Sequence, residues 1–215
     1  MAFTAAWLAS SLRQTGYSAT RVQLSGLAAM DARDPQIMIA GFIGLGLGSI
    51  AFGAALGQVM PRSPGRWLVS AGPWLIKAGG VAAIAAGLFR RDHMLLVGPG
   101  FAGESWHNQV HDLVSDVAYA ALIAVPVVLA RRFRTDPEWA GLRRPLQVLA
   151  LLSAAALGLF ASRAVPPWNG TVQRIAVTLP LAAEVLVAAR IIAHSRRGSR
   201  GPWPLPDAGQ TGGSV

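Results

Sequence analysis

Apolar residues along this chain gather in long unbroken runs separated by short polar, arginine-bearing connections. Five runs, at residues 37–60, 67–89, 110–130, 146–162 and 175–193, have or approach the roughly 20 apolar residues that a hydrocarbon core demands. None shows the strict alternation of a barrel strand. Lipid offers an open backbone no hydrogen-bonding partner, so each run is predicted to be an α-helix. Residues 2–12 are also apolar but make only half a span. They lack the basic start and small-residue cleavage site of a signal peptide. They read either as an interfacial or half-inserted helix, or as the remnant of a full first helix that begins upstream. The expected fold is an all-α polytopic transmembrane bundle of about six helices, the first one short or incomplete. Residues 1–197 form its single domain. Residues 198–215, rich in Gly, Pro and Ser, are expected to be a disordered tail.

Composition agrees with the pattern. Of 215 residues, 53% are hydrophobic and only 13% charged, against about 25% charged in soluble domains. The net charge of +9 does not point to nucleic acid, because the arginines cluster between apolar runs instead of lining one polar face. Lipids are the expected partners. Ten arginines (62, 66, 131, 132, 134, 143, 144, 196, 197 and 200) fall on one side of the predicted membrane, and seven (13, 21, 33, 90, 91, 163 and 174) on the other. That bias puts the C-terminus in the cytoplasm. Trp67, Trp106, Trp139 and Trp168 lie near run ends, as interfacial aromatics do. The absence of cysteine excludes disulfides and thiolate chemistry. Small residues recur at four-residue spacing in Ala40, Gly44 and Gly48, in Gly53 and Gly57, and in Gly79, Ala83 and Gly87. Such stripes let helix backbones approach, either within the bundle or in a homodimer. No protein partner is otherwise indicated.

The candidate chemistry concentrates where the fourth run begins. Glu104, His107, His111 and Ser115 would share one helical stripe, with Asp112, Asp116 and Tyr119 beside it. Ionisable groups are rare at such a position without a function. His107 and His111, four residues apart after a carboxylate, could hold a divalent metal such as zinc. No other cofactor is indicated. The competing reading is a polar helix cap that ties down the long loops. Those loops include residues 13–36, in which residues 24–30 are apolar enough for a short interfacial helix, and residues 165–174. By the topology above they converge at the outer face with Ser25, Asp92, Gln173 and Arg174, where Arg174 would be the cation opposite Asp112 or Asp116. Deep in the bundle, Lys77 and Glu184 fall at similar depth and are expected to pair, as a relay or as a register-fixing ion pair.

The run Gly16-Tyr17-Ser18, then residues 25–29, then Met38-Ile39-Ala40-Gly41-Phe42, resembles the opening of the bacterial membrane family DUF998, a domain of unknown function. Asp92, His107, His111-Asp112, Ser115 and Gly170-x-x-Gln173-Arg174-Ile175 continue the similarity, which spans residues 7–192. The resemblance implies six helices, a bacterial cytoplasmic membrane and no established activity. The family's complete first helix is shortened here. The expected role is therefore a non-enzymatic small-molecule or lipid-binding, transport-like or accessory one with a polar outer pocket. The alternative is a metal-assisted intramembrane lipid hydrolase. If lipid is the natural solvent of these runs, the purified chain stays monodisperse only in detergent or nanodiscs. Size-exclusion chromatography in plain buffer checks this, and a single sharp peak there would overturn the reading.

Overall fold

The computed structural model describes residues 2–60, 70–95, 104–134 and 136–198. Six α-helices run through them: α1 Ala2–Arg13, α2 Gln36–Val59, α3 Gly72–Leu88, α4 Trp106–Arg132, α5 Arg143–Ser162 and α6 Asn169–Gly198. No strand occurs among the described residues. Four stretches are long and apolar enough to cross a membrane: Gln36–Val59, Trp106–Arg132, Ala140–Ser162 and Pro166–Ala193. The chain is thus a membrane protein built as a transmembrane helix bundle. Helix α3 contributes 17 described residues, and part of its predicted run, with Trp67, lies outside the described residues. Helix α1 has 12 residues, about 18 Å at the helical rise and roughly half a hydrocarbon core. Of the predicted tail, Gly198 closes α6 and the rest lies outside the described residues.

Local chemistry sets the helix ends. Pro73 opens α3, where its missing N–H costs nothing. Ser105 caps α4 by accepting the Asn108 amide. Helix α5 ends on Arg163, held left-handed at φ +53°. Pro126 inside α4 and Pro180 inside α6 are both fully buried. Neighbouring helices make such interior prolines tolerable in a bundle.

Successive helices pack side by side, and α4 also meets α6 along a shorter seam. Two apolar cores result. One joins Leu56, Ile76, Val125, Leu129, Phe133, Leu146 and Val187 towards the arginine-rich end. Trp139 belongs to it: 4% exposed and stacked on Phe133 at 5.3 Å, it is a core residue and not the interfacial aromatic its position suggests. The other core joins Phe3, Leu24, Leu27, Met38 and Val177 at the opposite end.

The tightest seam is between α2 and α3. A Cβ on Gly46 would fall 2.3 Å from the Gly80 carbonyl oxygen, and one on Gly80 would fall 2.6 Å from that of Gly46. Gly53 meets the Pro73 carbonyl in the same way, at 2.7 Å. The expected Gly53 and Gly57 stripe thus packs, but that of Ala40, Gly44 and Gly48 is corrected. Gly44 and Gly48 meet nothing within 4 Å, because the face that packs is offset by two residues. On α3 the expected stripe does pack: a Cβ on Gly79 would lie 3.1 Å from Ala121, and one on Gly87 would lie 2.9 Å from Phe42. Gly46→Leu should therefore lower stability by about 1–3 kcal/mol, while Gly44→Leu should be near neutral. Thermal unfolding in detergent distinguishes the two.

Candidate functional site: a polar cavity at one end of the bundle

The loop after α1 does not lie on the surface. Residues 22–29 are all buried, with only a short 3-10 turn, Ser25–Ala28, in place of the interfacial helix expected there. Irregular backbone can be buried only if its polar groups find partners. Here side chains from two helix ends supply them. Arg90, just past α3, donates to the Ala28 and Ala29 carbonyls at 3.0 and 2.7 Å. Arg174 of α6 donates to Ala19 and Val22, both at 2.8 Å, and to the Tyr17 hydroxyl. Gln173 accepts the Leu24 amide at 2.6 Å and donates to the Tyr119 hydroxyl at 2.6 Å. Gly170 lets the loop pass: a Cβ there would sit 2.4 Å from the Val22 carbonyl. Arg174 is thus spent on loop carbonyls and forms no ion pair with Asp112 or Asp116.

A second group caps α4. Asp92 accepts the Ser105 amide at 2.7 Å and the Ser105 hydroxyl at 2.5 Å. Its own amide donates to Asn108, whose side-chain nitrogen donates in turn to Glu104 and, at 3.3 Å, to Asp112. His107 is exposed and stacked on Trp106 at 3.7 Å. Asp92, Glu104 and His107 therefore build the end of the helix and do not line the cavity below.

That cavity has a volume of about 410 Å³ between the buried loop and helices α4, α5 and α6. Of the residues singled out from sequence, Ser25, His111, Asp112, Ser115, Asp116 and Gln173 line it. Gln23, Arg91 and Arg163 line it as well, and sequence reasoning passed them over. Arg91 is the most telling. It is 6% exposed, yet its guanidinium has one hydrogen bond, from Nη1 to the Gln23 side-chain oxygen at 3.1 Å. Its Nε and the Gln23 amide nitrogen have no partner, and among the described residues no carboxylate pairs with it. In sequence it is the second member of an Arg-Arg doublet, and nothing in the spacing separates it from loop-bound Arg90. His111 is 1% exposed, and its Nδ1 lies 2.9 and 2.8 Å from the Ala86 and Phe89 carbonyls. Carbonyls only accept, so Nδ1 carries a proton, and Nε2 is the nitrogen left for anything that enters the cavity.

The family model described as Protein of unknown function (DUF998) matches residues 1–190. The chain belongs to this family. No curated protein and no solved structure matches it.

In this DUF998 chain the two histidines of the proposed metal pair part company, since His111 lines the cavity and His107 does not. Among the described residues no three His, Cys, Asp or Glu side chains group as a metal centre would require. Lys77 and Glu184 form no ion pair. The Lys77 ammonium lies 3.6 Å over the Trp74 ring instead. Glu184 lines a smaller cavity of about 70 Å³, otherwise walled mostly by apolar side chains such as Phe3, Leu45, Leu75 and Leu181.

The cap carries a pH dependence. Hydrogen bonds from the Ser105 hydroxyl and amide hold the Asp92 carboxyl below its ordinary value of 3.8. A depressed carboxylate stabilises the fold above its unfolded value, and the contribution is lost as pH falls through the folded one. Asp92→Asn should lower the melting temperature by about 2–4 °C at pH 7. The difference from wild type should shrink once pH falls below 3.8 and vanish only below the depressed folded value. Paired melting curves across pH check both the size and the sign.

Proposed function

We propose that this membrane protein binds a small molecule bearing an anionic group in the polar cavity, in a carrier-like, lipid-binding or accessory role without covalent chemistry. The observation that supports this is the buried Arg91 guanidinium at the cavity wall, which forms no ion pair among the described residues. Taking a cation out of water without a counterion costs several kcal/mol. An anion entering the cavity would offset that cost through charge-assisted hydrogen bonds. The arginine bias supports an outer position for this end of the bundle and a cytoplasmic C-terminus, and the family resemblance supports a bacterial inner membrane. A metal-assisted hydrolase using His107 and His111 is the weaker reading, since His107 packs on Trp106 outside the cavity.

Replacing Arg91 separates a ligand-binding role from a scaffolding one. An Arg91→Met chain no longer buries an unpaired charge, so its melting temperature in detergent should match or exceed that of wild type. Its affinity for butyrate and ethyl phosphate, used as minimal anionic probes and read by isothermal titration, should fall at least tenfold. A large loss of stability with unchanged anion affinity would overturn the proposal, as would a wild type that binds neither probe.

A further inference from the structure

The two cavities adjoin. Ser25, Ser115, Tyr119 and Gln173 line both the polar one and the apolar one. A collar of hydroxyl and amide groups, in which Gln173 donates to Tyr119, divides the polar cavity from a space walled by Phe42, Leu45, Leu75, Leu122 and Leu181, with Glu184 also on its wall. A purely polar solute would leave the inner space unused, and a purely apolar one would leave Arg91 without a counterion. A ligand with an anionic head and a single aliphatic chain satisfies both.

We infer that the ligand is a single-chain amphiphile with a monoanionic carboxylate head, held by Arg91, whose chain passes the collar and lies in the apolar cavity. This rests on the anion-binding reading above. The head carries one charge because Asp112 and Asp116 line the same cavity as Arg91 and Arg163. A phosphate monoester, close to dianionic at neutral pH, would meet both cations but also be repelled by both carboxylates. The chain is short at the point of contact. The inner cavity of about 70 Å³ has room for roughly five to seven water-sized groups at 10–15 Å³ each, enough for a short chain only.

The test uses the full chain in phosphatidylcholine nanodiscs, with butyrate, octanoate and octyl phosphate as probes. Each apolar methylene buried from water favours binding severalfold. Octanoate should therefore bind at least tenfold tighter than butyrate, and tighter than octyl phosphate. Ser49 lines the inner cavity from α2. Ser49→Leu should erase the gain of octanoate over butyrate while leaving butyrate affinity unchanged, a pattern that partition into the bilayer cannot produce. Ala118→Leu, from α4, blocks the same space and serves if the first variant does not fold. Equal binding of butyrate and octanoate would overturn the amphiphile inference and leave the anion site standing. So would a gain that survives both variants, or tighter binding of octyl phosphate. Failure of every probe to bind would sink both readings.

Discussion

Residues 22–29 are buried in one end of the bundle without forming a regular helix of useful length. That arrangement is tenable only because Arg90, Gln173 and Arg174 complete the hydrogen bonding of the segment's backbone. Everything at this end follows from it. The loop forms one wall of the polar cavity. It also brings Gln23 to Arg91 and gives α6 a reason to begin with Gly170, Gln173 and Arg174. An apolar environment penalises an unpaired peptide group by several kcal/mol. The three side chains are therefore structural necessities of the loop before they are anything else.

The arginines at this end divide the labour in a way that charge counting hides. Arg90 and Arg174 are spent on carbonyl oxygens, Arg13 on Asp34 at 2.5 Å, and Arg163 stands exposed at the rim. Arg91 alone of these is both deeply buried and left without a carboxylate or backbone-carbonyl acceptor, its one hydrogen bond going to the Gln23 side chain. The neighbouring acids are engaged elsewhere or too distant to pair with it. Asp92 serves the α4 cap, and Asp112 accepts from Asn108.

The helices were legible because the membrane imposes a length that apolar runs either meet or miss. The convergence of Ser25, His111, Asp112, Ser115, Asp116 and Gln173 on one cavity followed from simple alternation of direction. What the sequence could not disclose lies at the scale of a single residue. Helix α2 carries small residues on two faces, so Gly44 and Gly46 look equally fit to meet a neighbour, and only the tertiary register selects Gly46. Adjacent Arg90 and Arg91 have indistinguishable surroundings in one dimension, yet point to a loop backbone and to a cavity. Trp139 reads as an interfacial ring until the fold turns it onto Phe133. Lys77 and Glu184 match in depth, but depth says nothing about azimuth around the helix axis.

The reciprocal contact of Gly46 and Gly80 has a dynamic corollary. Two backbones that meet with no side chain between them have almost no freedom to slide or rotate against each other. Helices α2 and α3 therefore behave as one stiff beam, and any widening of the inner space must come from the opposite wall. That wall is α4 and α6, which touch over a shorter seam and each carry an interior proline, Pro126 and Pro180. A proline removes one rung of the helical ladder and concentrates bending there. Compliance is thus built into one side of the chamber and withheld from the other.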